Sequence, residues 1–342
     1  MKARLLAWIG ILALVMAVVV ALSVPAAAQV TAAAAKTTTV SPKNWTPPRT
    51  ADGHPDLQGV WNNSTMTPLE RPRDLGDKAS FTVQERDERE RKMLADLSTD
   101  RRDGPPEVDV NRSYNELWRE RGHLLLRTSL IIDPPDGRLP ALTPEGQKQA
   151  KARAEDRRRR GPDATDSWED RNLAERCITR GAPKLPGGYN NNFQIIQAAK
   201  YVVITQEMIH ETRIIPLDGR PHVDKNIRLW MGDSRGHWEG NTLVVETTNY
   251  NDKIVSESFN CCPGTGSGLH VVERFTRVGP DRIDYQYTVD DPNIYTRPWT
   301  ASVPMTRSDE PMYEYACHEG NYAMVDMLAG ARAKEKEAAK KK

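Results

Sequence analysis

The second half of the chain alternates apolar and polar residues with a period of two. Ile283, Tyr285, Tyr287 and Val289 fall on one parity and Arg282, Asp284, Gln286 and Thr288 on the other; Trp299, Ala301, Val303 and Met305 repeat the pattern. Successive side chains of a strand point to opposite faces, so the pattern predicts strands with one dry side and one wet side. Similar runs cover residues 193–198, 201–208, 211–217, 270–278, 282–290, 299–306 and 312–318, with very short connections between most of them. In the stretch from Arg228 to Tyr250, Gly240-Asn241 is flanked by β-favouring residues, and this dipeptide suits the positive φ values of a two-residue hairpin loop. Gly59-Val60-Trp61 adds a strand far upstream. A meander this long usually curls and closes, which removes its edges, so the predicted fold is mainly β, an antiparallel β-barrel.

Between Glu70 and Ala174 the pattern changes from alternation to charge. Thr82 with Glu85 forms a capping box, and Glu85/Arg89, Asp87/Arg91 and Glu88/Lys92 are spaced i,i+4, which predicts a solvated helix over residues 83–97. Thr143-Pro144 starts a second helix that runs into Arg157-Arg158-Arg159-Arg160 and stops at Gly161-Pro162. The arginine run lies beside Glu155 and Asp156 and has no interleaved aromatics, so it reads as a solvated helix end rather than an anion site. Ser167 with Asp170 caps a third, short helix carrying Leu173 and Cys177. At the C-terminal end, Met324, Met327, Leu328 and Ala331 recur at helical spacing over residues 322–339, ahead of a Lys-rich tail.

The other end of the chain has a different character. Lys2 and Arg4 precede an apolar run from Leu5 to Leu22, and Pro25-Ala26-Ala27-Ala28 offers small residues for cleavage before Gln29. These features predict a signal peptide over residues 1–28 and a periplasmic or secreted product, with an uncleaved N-terminal anchor as the competing reading. Residues 29–51 read as a flexible linker rich in Ala, Thr and Pro, residues 52–332 as one barrel domain with a helical insertion over about 70–174, and residues 333–342 as the tail. No stable membrane span is expected after cleavage. Loss of Lys2 and Arg4 takes 48 basic residues to 46 against 47 acidic ones, so the net charge moves from +1 to −1 and gives no reason to expect nucleic acid.

Export changes the reading of the four cysteines, because an oxidising compartment favours disulfides. Three pairings are open; a Cys177–Cys317 bridge would tie the start of the β-half to its last strand and leave Cys261-Cys262 as a vicinal pair. The absence of Cys-x-x-Cys favours a structural bridge over redox catalysis.

No motif of established chemistry fits. Gly232-Asp233-Ser234 has the composition of a lipase nucleophile block, but no Asp-x-x-His follows. His210-Glu211-Thr212-Arg213-Ile214 has isoleucine where a zinc protease needs its second histidine. Gly264-Thr265-Gly266-Ser267-Gly268 precedes a strand rather than a helix, so it reads as a loop. A metal site would have to be assembled from distant strands, for example from His210, His237 and His318; structural roles are the default for these histidines, and neither metal nor cofactor is expected.

Longer phrases carry a resemblance. Trp61, His237-Trp238-Glu239-Gly240-Asn241, Asp290-Asp291-Pro292 before Arg297-Pro298-Trp299, and Tyr315-Ala316-Cys317-His318-Glu319-Gly320-Asn321 resemble a family of uncharacterised exported proteins of soil bacteria over most of residues 52–332. That family carries no known activity, so no functional residue transfers from it. Gly59-Val60-Trp61 also resembles the opening strand of lipocalins and other calycins, where the glycine allows close approach and the tryptophan closes one end of the barrel. A calycin-like barrel implies binding of a small apolar or amphipathic molecule, with Trp238, Tyr285, Tyr287 and Trp299 as walls and Arg228 and Arg235 as polar contacts. The alternatives are a hydratase, isomerase or hydrolase using Asp233, His237 and Glu239 as acid and base, and an envelope interaction protein whose charged helical arm meets a partner.

Overall fold

The computed structural model describes residues 45–101, 104–105, 115–161, 164–255 and 268–341. The expected signal peptide, most of the linker and Cys261-Cys262 lie outside the described residues. Among the described residues eleven strands form: β1 (Gly59–Asn62), β2 (Ile131–Asp133), β3 (Asn192–Ala198), β4 (Tyr201–Gln206), β5 (Thr212–Pro216), β6 (Asp233–Glu239), β7 (Thr242–Thr248), β8 (His270–Gly279), β9 (Arg282–Asp290), β10 (Trp299–Ser302) and β11 (Met305–Ser308). They make one antiparallel sheet in the order β5-β4-β3-β1-β11-β9-β8-β7-β6, with β10 beside β9 and β2 beside β10. The early Trp61 strand therefore sits mid-sheet, with Trp61 opposite Phe193 on β3 and Arg307 on β11.

The alternation translates directly into burial. On β8 and β9 alternate residues are buried along the whole strand, and their partners face outward. The turn between β6 and β7 forms at Gly240, whose φ of 58° is the left-handed value that the loop requires. The predicted run at 299–306 becomes two strands, because Pro304 has no N–H to continue a ladder; β10 and β11 pair separately with β9.

Two expectations are corrected. Residues 312–318 form no strand; they run as irregular backbone held to the body by Cys317. The sheet also does not close into a barrel. Its outer strands, β5 and β6, share no hydrogen-bonded ladder, although a Cβ at Gly236 of β6 would lie 2.7 Å from Leu217 Cδ2 and 3.0 Å from Ile215 Cγ2. The edges meet through side chains, and Pro216 on β5 has no N–H to offer across the seam.

Among the described residues three α-helices accompany the sheet. α1 (Val83–Leu97) starts on the Thr82/Glu85 capping box, and α2 (Pro144–Arg160) on Thr143, which accepts from the Gly146 N–H. The arginine run that ends α2 is tied down locally: Arg159 and Arg160 both pair with Asp156, and Arg160 also reaches Asp170. Ser167 and Asp170 form the predicted capping box, but the helix it opens is a single 3-10 turn. α3 (Tyr322–Lys340) buries no residue and is held by Arg332, which donates to the Thr165 and Asp166 carbonyls at 2.9 and 3.0 Å. No helix among the described residues is long and apolar enough to cross a membrane.

Candidate functional site

The inner face of the curled sheet is filled by its own side chains. Phe275 stacks on Tyr285 at 4.6 Å, Tyr285 lies 5.8 Å from Tyr287, and Tyr287 meets Trp299 edge-on at 5.9 Å. All four are buried. Charged residues stand within this apolar layer. Arg213 occupies the inward parity of β5 and Glu273 that of β8, and the two are joined by paired hydrogen bonds, one of 3.0 Å between Arg213 Nη2 and Glu273 Oε1. Tyr285 Oη donates to the same carboxylate oxygen at 2.7 Å. Burial opposes the Arg213 charge, but Glu273 more than restores it, so the guanidinium is held above its ordinary value. Burial and the nearby Glu273 carboxylate push the Tyr285 phenol up.

Lys184 enters the same region from the segment that precedes β3. Its ammonium donates to Asn191 Oδ1 at 3.1 Å and sits 5.7 Å from the Phe193 ring centre, and burial lowers its pKa to about 8. Lys184, Gln206, Arg213 and Glu273 surround a cavity of about 10 Å³, room for roughly one water. Gln206 Oε1 and Arg213 Nε have no hydrogen-bond partner there.

The residues singled out from the sequence lie in separate places. Tyr285, Tyr287 and Trp299 belong to the filled interior. Asp233, at the start of β6, is buried and takes hydrogen bonds from Arg235 Nη1 at 2.7 Å and the Val223 N–H at 3.1 Å, with His222 Nδ1 at 2.8 Å. His237 and Glu239 are exposed at the far end of the same strand, roughly 13 to 20 Å away at 3.3 Å per residue. There His237 Nε2 is 3.2 Å from Glu239 Oε1, and Arg274 holds the Glu239 carboxyl below its usual range. Trp238 stacks on His54 at 4.8 Å, and Arg228 is exposed in the approach to β6. Asp233 is thus not brought together with His237 and Glu239.

A different corner of the molecule is brought together. The Cys177–Cys317 bridge joins the segment before β3 to the irregular stretch before α3. Asn321 fastens that stretch by donating to the Glu175 carbonyl at 2.8 Å. In the β4–β5 connection, Ile209 and His210 take φ values of 64° and 44°, and Cys177 takes 54°. Such values are rare for L-residues and for a β-branched residue above all, so surrounding contacts must enforce them. One contact is His210 Nδ1 on the Tyr315 carbonyl at 2.9 Å. The next residue, Glu211, accepts from Thr179 Oγ1 at 2.8 Å and the Arg180 N–H at 3.1 Å. Burial pushes its carboxyl up to about 7 against the pull of those donors.

Beside the bridge runs an open groove of about 360 Å³, lined by Glu175, Tyr315, Cys317, Asn321, Ala323 and Met327 among others. A second groove, of about 340 Å³ along α1, is lined mainly by charged groups, of which Lys78 and Glu85 pair with each other. Among the described residues no group of three or more His, Cys, Asp or Glu side chains is placed to hold a metal ion.

Lys184, Gln206 and Glu273 go unmarked in the sequence reading, and Glu211 and Arg213 enter it only within the rejected zinc-protease motif. Two of them left a trace there: Arg213 and Glu273 share strand parity with Ile215 and with Val271 and Phe275, so each is a charge on an apolar face. Comparison with family models, curated proteins and solved structures finds no match for this chain.

Proposed function

We propose that this is an exported, calycin-like protein that binds a small amphipathic molecule, and that its binding site is the groove beside the Cys177–Cys317 bridge. The observation that carries the reading is the contrast in room. The cavity beside Arg213 and Glu273 in the interior holds about 10 Å³, whereas the groove offers about 360 Å³, within the roughly 300–1,000 Å³ of small-molecule sites. Its lining mixes Ala323 and Met327 with Asn321 and Glu175, as an amphipathic ligand requires. The curled antiparallel meander and the buried Trp61, whose indole N–H donates to the Leu57 carbonyl at 2.8 Å, support the calycin-like half of the reading. Export rests on the N-terminal charge and apolar pattern, and a structural disulfide accords with an oxidising compartment.

The test is titration with the fluorescent amphiphile N-phenyl-1-naphthylamine, alongside native mass spectrometry of protein taken from the exporting cell. Wild type should bind saturably, Ala323→Trp or Met327→Trp should weaken binding at least tenfold, and Tyr287→Phe should leave it unchanged. Sensitivity to Tyr287→Phe with indifference to Ala323→Trp would move the site back to the interior.

One observation favours a second reading, an acid/base enzyme. Glu211, with a carboxyl near half-ionised at neutral pH beside His210, is better poised for proton transfer than Glu239, which Arg274 holds below its usual range. A hydrolase or isomerase activity abolished by Glu211→Gln and retained in Asp233→Asn would decide for it.

A further inference from the structure

Of the seven histidines in the chain, five face a carboxylate or an indole: His54 meets Trp238, His123 meets Glu90, His222 meets Asp233, His237 meets Glu239 and His270 meets Glu246. The remaining two face each other. The rings of His210 and His318 lie 6.5 Å apart at 60°. They are 108 residues apart in the chain, and both are exposed.

The tautomer of His210 follows from its partner. A carbonyl oxygen only accepts, so Nδ1 carries the proton given to the Tyr315 carbonyl, and Nε2 keeps its lone pair. An imidazole whose second nitrogen is pinned to a backbone carbonyl has the outer-sphere support typical of a metal ligand. The left-handed backbone at Ile209 and His210 fixes where that ring stands, and the bridge at Cys317 fixes the residue before His318. With zinc–nitrogen bonds of about 2.0–2.1 Å, two rings on one ion have centres roughly 5 to 6.5 Å apart. The observed spacing is the trans limit of that range, which a square-planar ion accepts as it stands and a tetrahedral ion accepts only if the exposed His318 ring moves about 1 Å closer.

We infer that His210 and His318 form a two-imidazole site for a borderline divalent transition-metal ion such as Cu(II) or Zn(II), with water completing its coordination. Imidazole donors suit these ions over magnesium or calcium, which take oxygen ligands. His237, the third member of the trio suggested by the sequence, is engaged with Glu239 on β6 and takes no part.

The experiment uses full-length, tag-free protein with its disulfide intact, titrated with Cu(II) or Zn(II) alone by calorimetry. Cu(II) electron paramagnetic resonance reads the ligand atoms. One ion should bind per chain, with hyperfine splitting from two imidazole nitrogens, and His318→Ala should weaken binding at least tenfold while His237→Ala has no effect. His210→Ala should do the same as His318→Ala; because it also removes the contact with Tyr315, His318→Ala carries the test should that variant fail to fold. Absence of saturable binding below millimolar metal, or full affinity in His318→Ala, would overturn the inference.

Discussion

Arg213 and Glu273 face each other across the buried side of the sheet, joined by two hydrogen bonds although β5 and β8 are not neighbours in it. The pair links the β5 edge of the sheet to β8, the third strand from the opposite edge, through the core. Taking one partner away leaves the other as an isolated buried charge, which costs about 3–5 kcal/mol, whereas replacing both with apolar groups of similar volume is often neutral or stabilising. Glu273→Leu should therefore lower the urea midpoint by that order, and Arg213→Met/Glu273→Leu should recover most of the loss. A double variant as unstable as Glu273→Leu alone would mean that the pair holds the curl rather than merely neutralising itself.

The Cys177–Cys317 bridge closes a loop with a sequence separation of 140. By the chain-entropy relation such a loop is worth nominally about 4–5 kcal/mol against the unfolded state. Dithiothreitol, or Cys177→Ser/Cys317→Ser, should lower the melting temperature. The irregular stretch around Tyr315 and the groove should respond first, seen as faster hydrogen exchange at residues 315–321 than across β8 and β9.

The helices were legible because their signals are local: Thr82 with Glu85, and Thr143 with Pro144, sit within one turn of the ends they fix. Period-two alternation made β8 and β9 legible in the same way. Residues 312–318 misled because Tyr313 and Tyr315 alternate as in a strand, while the restraint on the backbone there, Cys317, has its partner 140 positions away. Closure is hidden from the sequence for a similar reason. Alternation says which face is dry, but whether β5 and β6 exchange hydrogen bonds depends on how 217–232 returns the chain, which no local pattern encodes. The candidate site was the least legible part. His210, Glu211, Cys177 and His318 come from three distant segments, and the left-handed backbone that presents His210 is an unusual choice for Ile209.

Glu211 should give stability a falling slope with pH. Its carboxyl titrates near 7 in the folded chain against an ordinary 4.5, so between those values the folded state binds more protons than the unfolded one. Its contribution is complete below about pH 4.5 and is lost as pH rises through 7. Glu211→Gln should flatten the dependence in that window, measured as urea midpoint against pH; an unchanged slope would mean that the carboxyl stays ionised at neutral pH.

Lys184 acts in a separate, alkaline window with the opposite slope. Its folded value of about 8 lies below the ordinary 10.5, so at neutral pH the fold carries a buried ammonium that the unfolded chain hydrates freely. Stability from this group should rise between pH 8 and 10.5. Lys184→Met removes the charge while Asn191 Oδ1 keeps its bond from the Gly187 N–H at 2.7 Å. The variant should gain stability at pH 7, by at most about 3 kcal/mol, and lose the alkaline slope.

Gly236 tests the seam between the sheet's outer strands. Alanine for glycine in a strand normally gains about 0.5–1 kcal/mol, but here the new methyl would press on Ile215, which is fully buried and cannot retreat, and on Leu217. Overpacking of this kind costs about 1–3 kcal/mol, so Gly236→Ala should destabilise on balance. Leu217→Ala opens space at the same spot, so Leu217→Ala/Gly236→Ala should lose less than the sum of the two single changes. Strict additivity in the chemical denaturation energies would show that β5 and β6 do not press against each other at this point.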